Sequence, residues 1–268
     1  HLAADRSLID ALCDISLCAI PFESIVDEDN SLPLLAPMSQ IAGRIAAIRG
    51  ASLLFRNRGG NGVLLGGVDG TDPGRVVVLG AGIAGEHAVA VAVALGAQVD
   101  VLDLDESKLQ RLKQQCPTIN TFLSTHEVIE RVCLQADLVI GAVLLAGRRA
   151  PVILKQSVVK QMVPGSVIVD IAIDQGGCVE GIRATDSEEL CYVENGVIHS
   201  AVPNMPATVA RTASQSLSLA ILPYVLELSA SPVEQLCQSE SAKSQALCRA
   251  IAINRGKIVD EILNQELN

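Results

Sequence analysis

The apolar positions of this chain switch between two spacings. Over residues 2–13 they recur at helical spacing (Leu2, Leu8, Leu12), and the short run CAIPFESIV is expected to be a strand ending in the acidic turn DEDN. From Met38 to about Phe55, MSQIAGRIAAIRGASLLF has the small and aliphatic spacing of a long helix, predicted to be capped by Ser39. A glycine-rich connection follows, RNRGGNGVLLGGVDGTDPG, expected to lie against something else in the fold. Beyond it strands and helices alternate: RVVVLG predicts a strand, GEHAVAVAVALG a helix closed by Gly96, QVDVLDLD a strand and ESKLQRLKQQC a helix. HEVIERVCLQ predicts a helix, DLVIGAVL a strand, KQSVVKQM a helix, GSVIVDIAID a strand and GVIHSAV a last strand. From Pro206 the pattern is one long helix with Pro in its first turn, and the tail adds two short helices, the last being KIVDEILNQEL.

These strands are continuous apolar runs, not alternating ones, which is what burial on both faces produces. With helices between them they predict an α/β fold, a doubly wound parallel sheet of the Rossmann type. A half of hydrophobic residues with only 2% aromatics and no Trp requires an aliphatic core, which fits that class. Twenty basic against thirty acidic residues, a formal charge of −10, argues against nucleic acid or an anionic membrane as a main partner. The most apolar windows are broken before the roughly 18–20 residues of a membrane span, and the opening residues do not read as a signal peptide, so a cytoplasmic protein is expected. Eight scattered cysteines, without CxxC or a Cys/His cluster, predict reduced thiols and no metal site. The chain opens at His1 on a helical pattern, without Met, so an upstream segment is expected.

The chemistry concentrates at the predicted ends of the strands, where doubly wound sheets bind their ligands. VVVLGAGIAGEHA sets Gly80, Gly82 and Gly85 in G-x-G-x-x-G spacing between a strand and a helix. Gly80 permits the tight turn, Gly82 lets backbone approach a pyrophosphate, and Gly85 allows helix and strand to pack closely, while the helix start at Ile83 and Ala84 offers donors and positive dipole. The next strand ends in Asp103, 23 positions after Gly80, near the separation expected of the carboxylate that accepts from ribose hydroxyls. A carboxylate there, not an arginine, selects NAD over NADP; Asp105 is an alternative partner for the sugar. The other strand ends supply Ala142, Val143 and Leu144, then Ile173 and Asp174, then Asn204 and Met205. Asp170 and Asp174, of equal parity in one predicted strand, are expected on the same sheet face, Asp170 deeper as a cap for a nearby loop and Asp174 on the crevice rim.

The segments LPLLAPMSQIAG, GGNGVLLGGV, VLGAGIAG, IGAVLLAGRRAP, GSVIVDIAIDQGGC, GVIHSAVPNMPATVARTAS and NRGKIVDEIL closely resemble bacterial alanine dehydrogenase, in the same order and with similar spacing, over nearly the whole chain. The resemblance implies NAD-dependent oxidative deamination of L-alanine to pyruvate and ammonia, and the reverse. It puts His1 where the family has its substrate-binding histidine, in an HLAA motif, and Asp174 on the catalytic aspartate. Ser39, Asp103, Asn204 and Met205 fall on positions lining the cofactor and nicotinamide pocket. It further implies a homohexamer. An arginine and a lysine that hold the substrate in the family lie upstream of the position of His1, so the chain is expected to be a fragment that keeps the NAD module and turns over alanine poorly or not at all. The expected division is an NAD-binding domain at 41–207 and an incomplete catalytic domain, 1–40 and 208–268, joined by two long helices. Two other readings remain: the NAD-binding subunit of a proton-translocating transhydrogenase, which shares PGSVIVD but reads a segment without Asp in place of AIDQGG, and a non-catalytic NAD-binding module.

Overall fold

The structure is a computed structural model that describes residues 2, 6–143, 149–186, 190–230 and 232–266. Two compact units emerge, one of Ser39–Leu145 with Arg149–Thr208, the other from the chain before Ser39 and from Val209 onward.

In chain order the described elements are α1 (Arg6–Asp14), α2 (Ala36–Leu53), β1 (Arg75–Leu79), α3 (Ile83–Ala94), β2 (Gln98–Asp103), α4 (Glu106–Gln115), β3 (Asn120–Leu123), α5 (His126–Cys133) and β4 (Leu138–Gly141). There follow α6 (Gln156–Val159), β5 (Val167–Asp170), β6 (Tyr192–Glu194), β7 (Val197–Ser200), α7 (Ala210–Ala230), α8 (Ala242–Arg249), β8 (Ile253–Asn254), β9 (Lys257–Ile258) and α9 (Glu261–Glu266).

The larger unit is built on a seven-stranded sheet in the order β3-β2-β1-β4-β5-β7-β6, parallel throughout except for β6, which pairs antiparallel with β7. Successive residues of β1 show why the runs are continuous. Val76 and Val78 join one aliphatic cluster with residues of α2, α3 and α4, while Val77 and Leu79 join another with residues of α5 and α6. The chain order reverses between β1 and β4, and the carboxyl ends of those two strands are the usual place for a ligand in such a sheet.

The glycine-rich connection before β1 runs along the opposite edge. Asn61 Nδ2 donates to Asp137 Oδ1 at 2.8 Å, the Arg75 amide donates to Asp137 Oδ2 at 2.8 Å, and the Asn61 amide donates to the Gly165 carbonyl at 2.9 Å. It therefore ties together the starts of β1, β4 and β5.

Several expected elements differ. CAIPFESIV is not a strand: Pro21 interrupts it, Phe22–Ser24 is a 3-10 turn, and only Ala19 forms a bridge, to Ile253. Ser39 does not cap its helix, because α2 already begins at Ala36. The strand expected over 166–174 stops at Asp170, which turns back to cap a 3-10 turn, Ile171–Gln175; the parity argument that put Asp170 and Asp174 on one face thus fails. The long helix expected from Pro206 begins as a 3-10 turn at Met205–Val209 and becomes regular at Ala210. Strands β3 and β6 were not expected: β3 is a four-residue, half-exposed edge strand and β6 has three residues, too short for an apolar pattern.

In the smaller unit, Ile25, Leu34, Tyr224, Leu236 and Leu247 form one cluster, and Ile9, Ala252, Ile253 and Leu263 another. The tail is α8, a β8–β9 hairpin and α9, so only the end of KIVDEILNQEL is helical. The expectation of reduced thiols is corrected at one pair: Cys237 and Cys248 form a disulfide, their Cα atoms 5.3 Å apart, while the other six cysteines are free. The pair lies eleven positions apart, and that spacing carries no recognisable motif.

Candidate functional site

All the strand-end residues singled out in the sequence that the structure describes lie on the larger unit. Because β2, β1, β4, β5 and β7 are parallel, their final residues share one edge of the sheet.

At its centre the three motif glycines occupy three different environments. Gly80 has φ +107°, and a Cβ there would stand 2.6 Å from the Ala142 carbonyl oxygen at the end of β4. At Gly85 a Cβ would collide with the Gly80 carbonyl oxygen. At Gly82 a Cβ would meet nothing within 4 Å, so the space in front of this glycine is open. Two glycines thus close the turn onto the sheet, and the one between them leaves room for a ligand against backbone. Ile83 and Ala84 begin α3, and Gly43 of α2 packs directly on the Ala84 carbonyl. Ser39, half-buried, lies one turn before Gly43 on the same side of α2.

On the β2 side, Asp103 Oδ2 accepts from the Ala81 amide at 2.6 Å and Oδ1 from the Asp105 amide at 2.9 Å. A carboxylate has about four acceptor sites, so two remain for sugar hydroxyls. The alternative, Asp105, is committed elsewhere: it caps α4, accepting from the Ser107 amide and hydroxyl at 2.9 and 2.6 Å, and the Ser107 hydroxyl holds its carboxyl below the usual range. Leu104, 81% exposed beside Asp103, offers an apolar face that the sequence reading passed over; a lone Leu between two aspartates was the only signal.

On the β5 side two carboxylates four residues apart have opposite surroundings. Asp170 is fully buried, accepting from the amides of Ala172 (2.9 Å), Cys178 (2.8 Å) and Val179 (3.3 Å) and from the Cys178 thiol at 3.5 Å. Burial raises its pKa and those donors oppose the rise. Asp174 rides on the 3-10 turn and, among the described residues, accepts from one group, the Asn204 amide, at 3.0 and 3.2 Å to its two oxygens. Partial burial of that carboxyl raises its pKa, and the Asn204 amide opposes the shift. Asn204 has φ +48°, a left-handed conformation that asparagine tolerates. Ile173, half-buried, shares the turn, and Val143 follows Ala142 beyond β4.

The structure therefore brings Asp174 and Asn204 into contact and sets Gly80 against Ala142. Met205 is 2% exposed and belongs to the aliphatic cluster that includes Ala142, so it packs beneath this edge instead of opening onto it. From β2 to β5 is three strand steps, about 14 Å. Asp103 and Asp174 thus cannot serve one small group but can serve two ends of an extended one. His1 and Leu144 lie outside the described residues. Arg149 Nε lies 3.3 Å from where a Cβ of Gly176 would stand, close to the turn that carries Asp174. Cys178 is buried and its thiol pKa is raised well above the usual value by burial and by Asp170, so it is not a nucleophile. Among the described residues no group of three or more His, Cys, Asp or Glu could hold a metal ion, and no helix is long and apolar enough to cross a membrane.

Residues 46–261 match the family model for the alanine dehydrogenase/PNT C-terminal domain. The chain is 44% identical over all its 268 residues to an alanine dehydrogenase of Mycobacterium tuberculosis and spans 71% of that protein's length. A solved L-alanine dehydrogenase superposes with a TM-score of 0.92 at 43% identity, covering all of this chain and 73% of that one. A transhydrogenase from Sinorhizobium meliloti superposes with a TM-score of 0.76 at 22% identity, over 97% of this chain and 71% of its own, which shows a shared fold.

Proposed function

Because the chain belongs to the alanine dehydrogenase/PNT family, we propose that its chemistry is the NAD-dependent oxidative deamination of L-alanine to pyruvate and ammonia, and the reverse. The observation that carries this reading is the pairing of full-length similarity to alanine dehydrogenases with a sheet edge holding Asp103 at one strand end and Asp174, on the Asn204 amide, three strands away.

The residues fit a dinucleotide. The open space at Gly82 and the start of α3 would receive the pyrophosphate. The free acceptor sites of Asp103 would take the adenosine ribose, and Leu104 would offer its apolar face to the base. Ala142, Val143, Ile173, Asn204 and, where placed by the family resemblance, Ser39 and Leu144 would line the nicotinamide end, while Met205 packs beneath it. When bound, NAD supplies the hydride acceptor for the substrate Cα.

Asp174 then has a defined task. Oxidation of the amine leaves an iminium that water must attack, and a base must take the proton of that water. A carboxylate raised above its ordinary pKa and held by a single amide suits this role better than Asp170, whose oxygens are already occupied. His1, by the same resemblance, would bind substrate. We also propose a homo-oligomer, a hexamer as in the family, working in the cytoplasm.

Two measurements on the chain test the reading. NAD binding, followed by calorimetry, should be at least tenfold tighter than NADP binding, and Asp103→Asn should erase the preference; equal affinities would sink the assignment of Asp103. NADH formation from L-alanine tests the reaction, and NAD binding without it would favour the non-catalytic module. Hydride exchange with NADP, without alanine, would favour the transhydrogenase reading instead.

A further inference from the structure

The most heavily bonded polar side chain described in the larger unit has no part in that chemistry. Asp170 Oδ1 accepts from Ala172 at the start of the 171–179 segment, and Oδ2 accepts from Cys178 and Val179 at its end. One buried carboxylate thus closes the segment into a ring, with Asp174 midway around it.

Three glycines leave space for this closure. A Cβ on Gly141, the last residue of β4, would strike the Cys178 sulfur and stand 3.0 Å from Asp170 Oδ1. A Cβ on Gly177 would stand 3.0 Å from Oδ2, and both Gly176 and Gly177 have left-handed φ, +95° and +80°, which brings the chain back to the carboxylate. The ring is tied to the next loop at one described point, where Asp174 accepts from Asn204.

A buried carboxylate is costly, and apolar side chains could fill a strand end without it. What a carboxylate adds is simultaneous acceptance from both ends of a turn. We propose that Asp170 is a positioning residue: by clamping the 171–179 segment it sets the place of the Asp174 carboxyl against Asn204, and so prepares the proton acceptor of the reaction. The proposal rests on the assignment of Asp174 made above.

The test uses the Asn204 amide as reporter, in NMR titrations of the full chain. In the unaltered protein this resonance should move as Asp174 ionises, and Asp174→Asn should abolish the movement. Asp170→Asn presents one acceptor oxygen in place of two, so at least one ring-closing amide is left unpaired. The expected result is a folded protein in which the Asn204 response shrinks and its midpoint falls towards the ordinary carboxylate range. An unchanged response in folded Asp170→Asn overturns the proposal, since a purely stabilising role would lower Tm and leave that titration alone. Should this variant not fold, Gly141→Ala perturbs the ring with the carboxylate present, and adding Cys178→Ala removes the closest collision. Loss of the response in the first and its return in the pair support the proposal; an unaltered response in both overturns it. Alanine oxidation is a separate arm: kcat should fall in Asp170→Asn with the Kd for NAD unchanged. If the unaltered chain forms no NADH, the kcat arm is silent and the titration alone decides the role of Asp170.

Discussion

Two glycine-rich loops flank β1, and they do opposite work. The one before the strand, residues 56–74, binds protein: Asn61 and Asp137 tie it across three strand starts. The one after the strand, residues 80–85, meets protein at Gly80, Ala81, Ala84 and Gly85, and leaves Gly82 facing open space. Both are rich in glycine. What separates them is strand direction, since in a parallel sheet the carboxyl ends collect helix N-termini and unpaired amides on one edge. Glycine richness marks close approach of backbone; the edge decides whether the approaching group is protein or ligand.

The comparison can be broken most severely where both loops are packed. Gly85→Val drives a side chain into the Gly80 carbonyl, and Gly60→Val drives one into the backbone of Leu54. Each should cost about 4 kcal/mol or more, the range of the most damaging substitutions, and thermal denaturation should show both unfolding far earlier. A milder native-like Tm for either would mean that its loop can move aside.

Asp137→Ala comes next. It strands Asn61 Nδ2 and the Arg75 amide, a loss of about 2–3 kcal/mol, yet NAD affinity should stay within twofold because the opposite edge is untouched. A large fall in affinity would refute the separation of the two edges.

Gly82→Ala should do the reverse. With nothing within 4 Å of the new methyl, Tm should hold, while NAD affinity falls about tenfold, or about 1.4 kcal/mol. Unchanged affinity would move the pyrophosphate away from this glycine.

The smallest effect concerns conditions. His199 of β7 is 2% exposed, stacks on Tyr192 at 5.0 Å, and among the described residues both its ring nitrogens lack a hydrogen-bond partner. Burial lowers its pKa, so the folded state holds the proton less tightly than the unfolded state does. The stabilising effect is whole above the unfolded value of about 6.5 and is lost as pH falls from there towards the lower folded value. Urea titrations should show this decline, and His199→Phe should flatten it. Both loops are therefore best compared above that range.

Much of the site was legible in the chain. Continuous apolar runs announced strands buried on both faces, and three glycines with Asp103 at the next strand end announced a tight strand-to-helix turn beside a carboxylate, because burial and backbone approach impose composition locally. Residues 168–177 were harder. The apolar run IVDIAID reads as one strand, but the Asp170 carboxylate finds closer partners in the amides of the turn it caps, and the chain leaves the sheet there. Short edge strands such as β3 and β6 carry no pattern, since two to four residues cannot show a period.

Pattern and spacing along the chain were enough for the parallel α/β class, the glycine motif and the set of strand ends, since those follow from which residues avoid water and which permit a tight turn. Folding alone settled that Asp105 caps a helix while Asp103 keeps acceptor sites, that Met205 lies beneath the edge, that Cys237 meets Cys248, and that Asp170 accepts from amides at both ends of the segment that carries Asp174. Each of these depends on partners distant in sequence or on the exact end of a strand. A hydrogen bond is chosen by three-dimensional neighbours, which hydropathy does not encode.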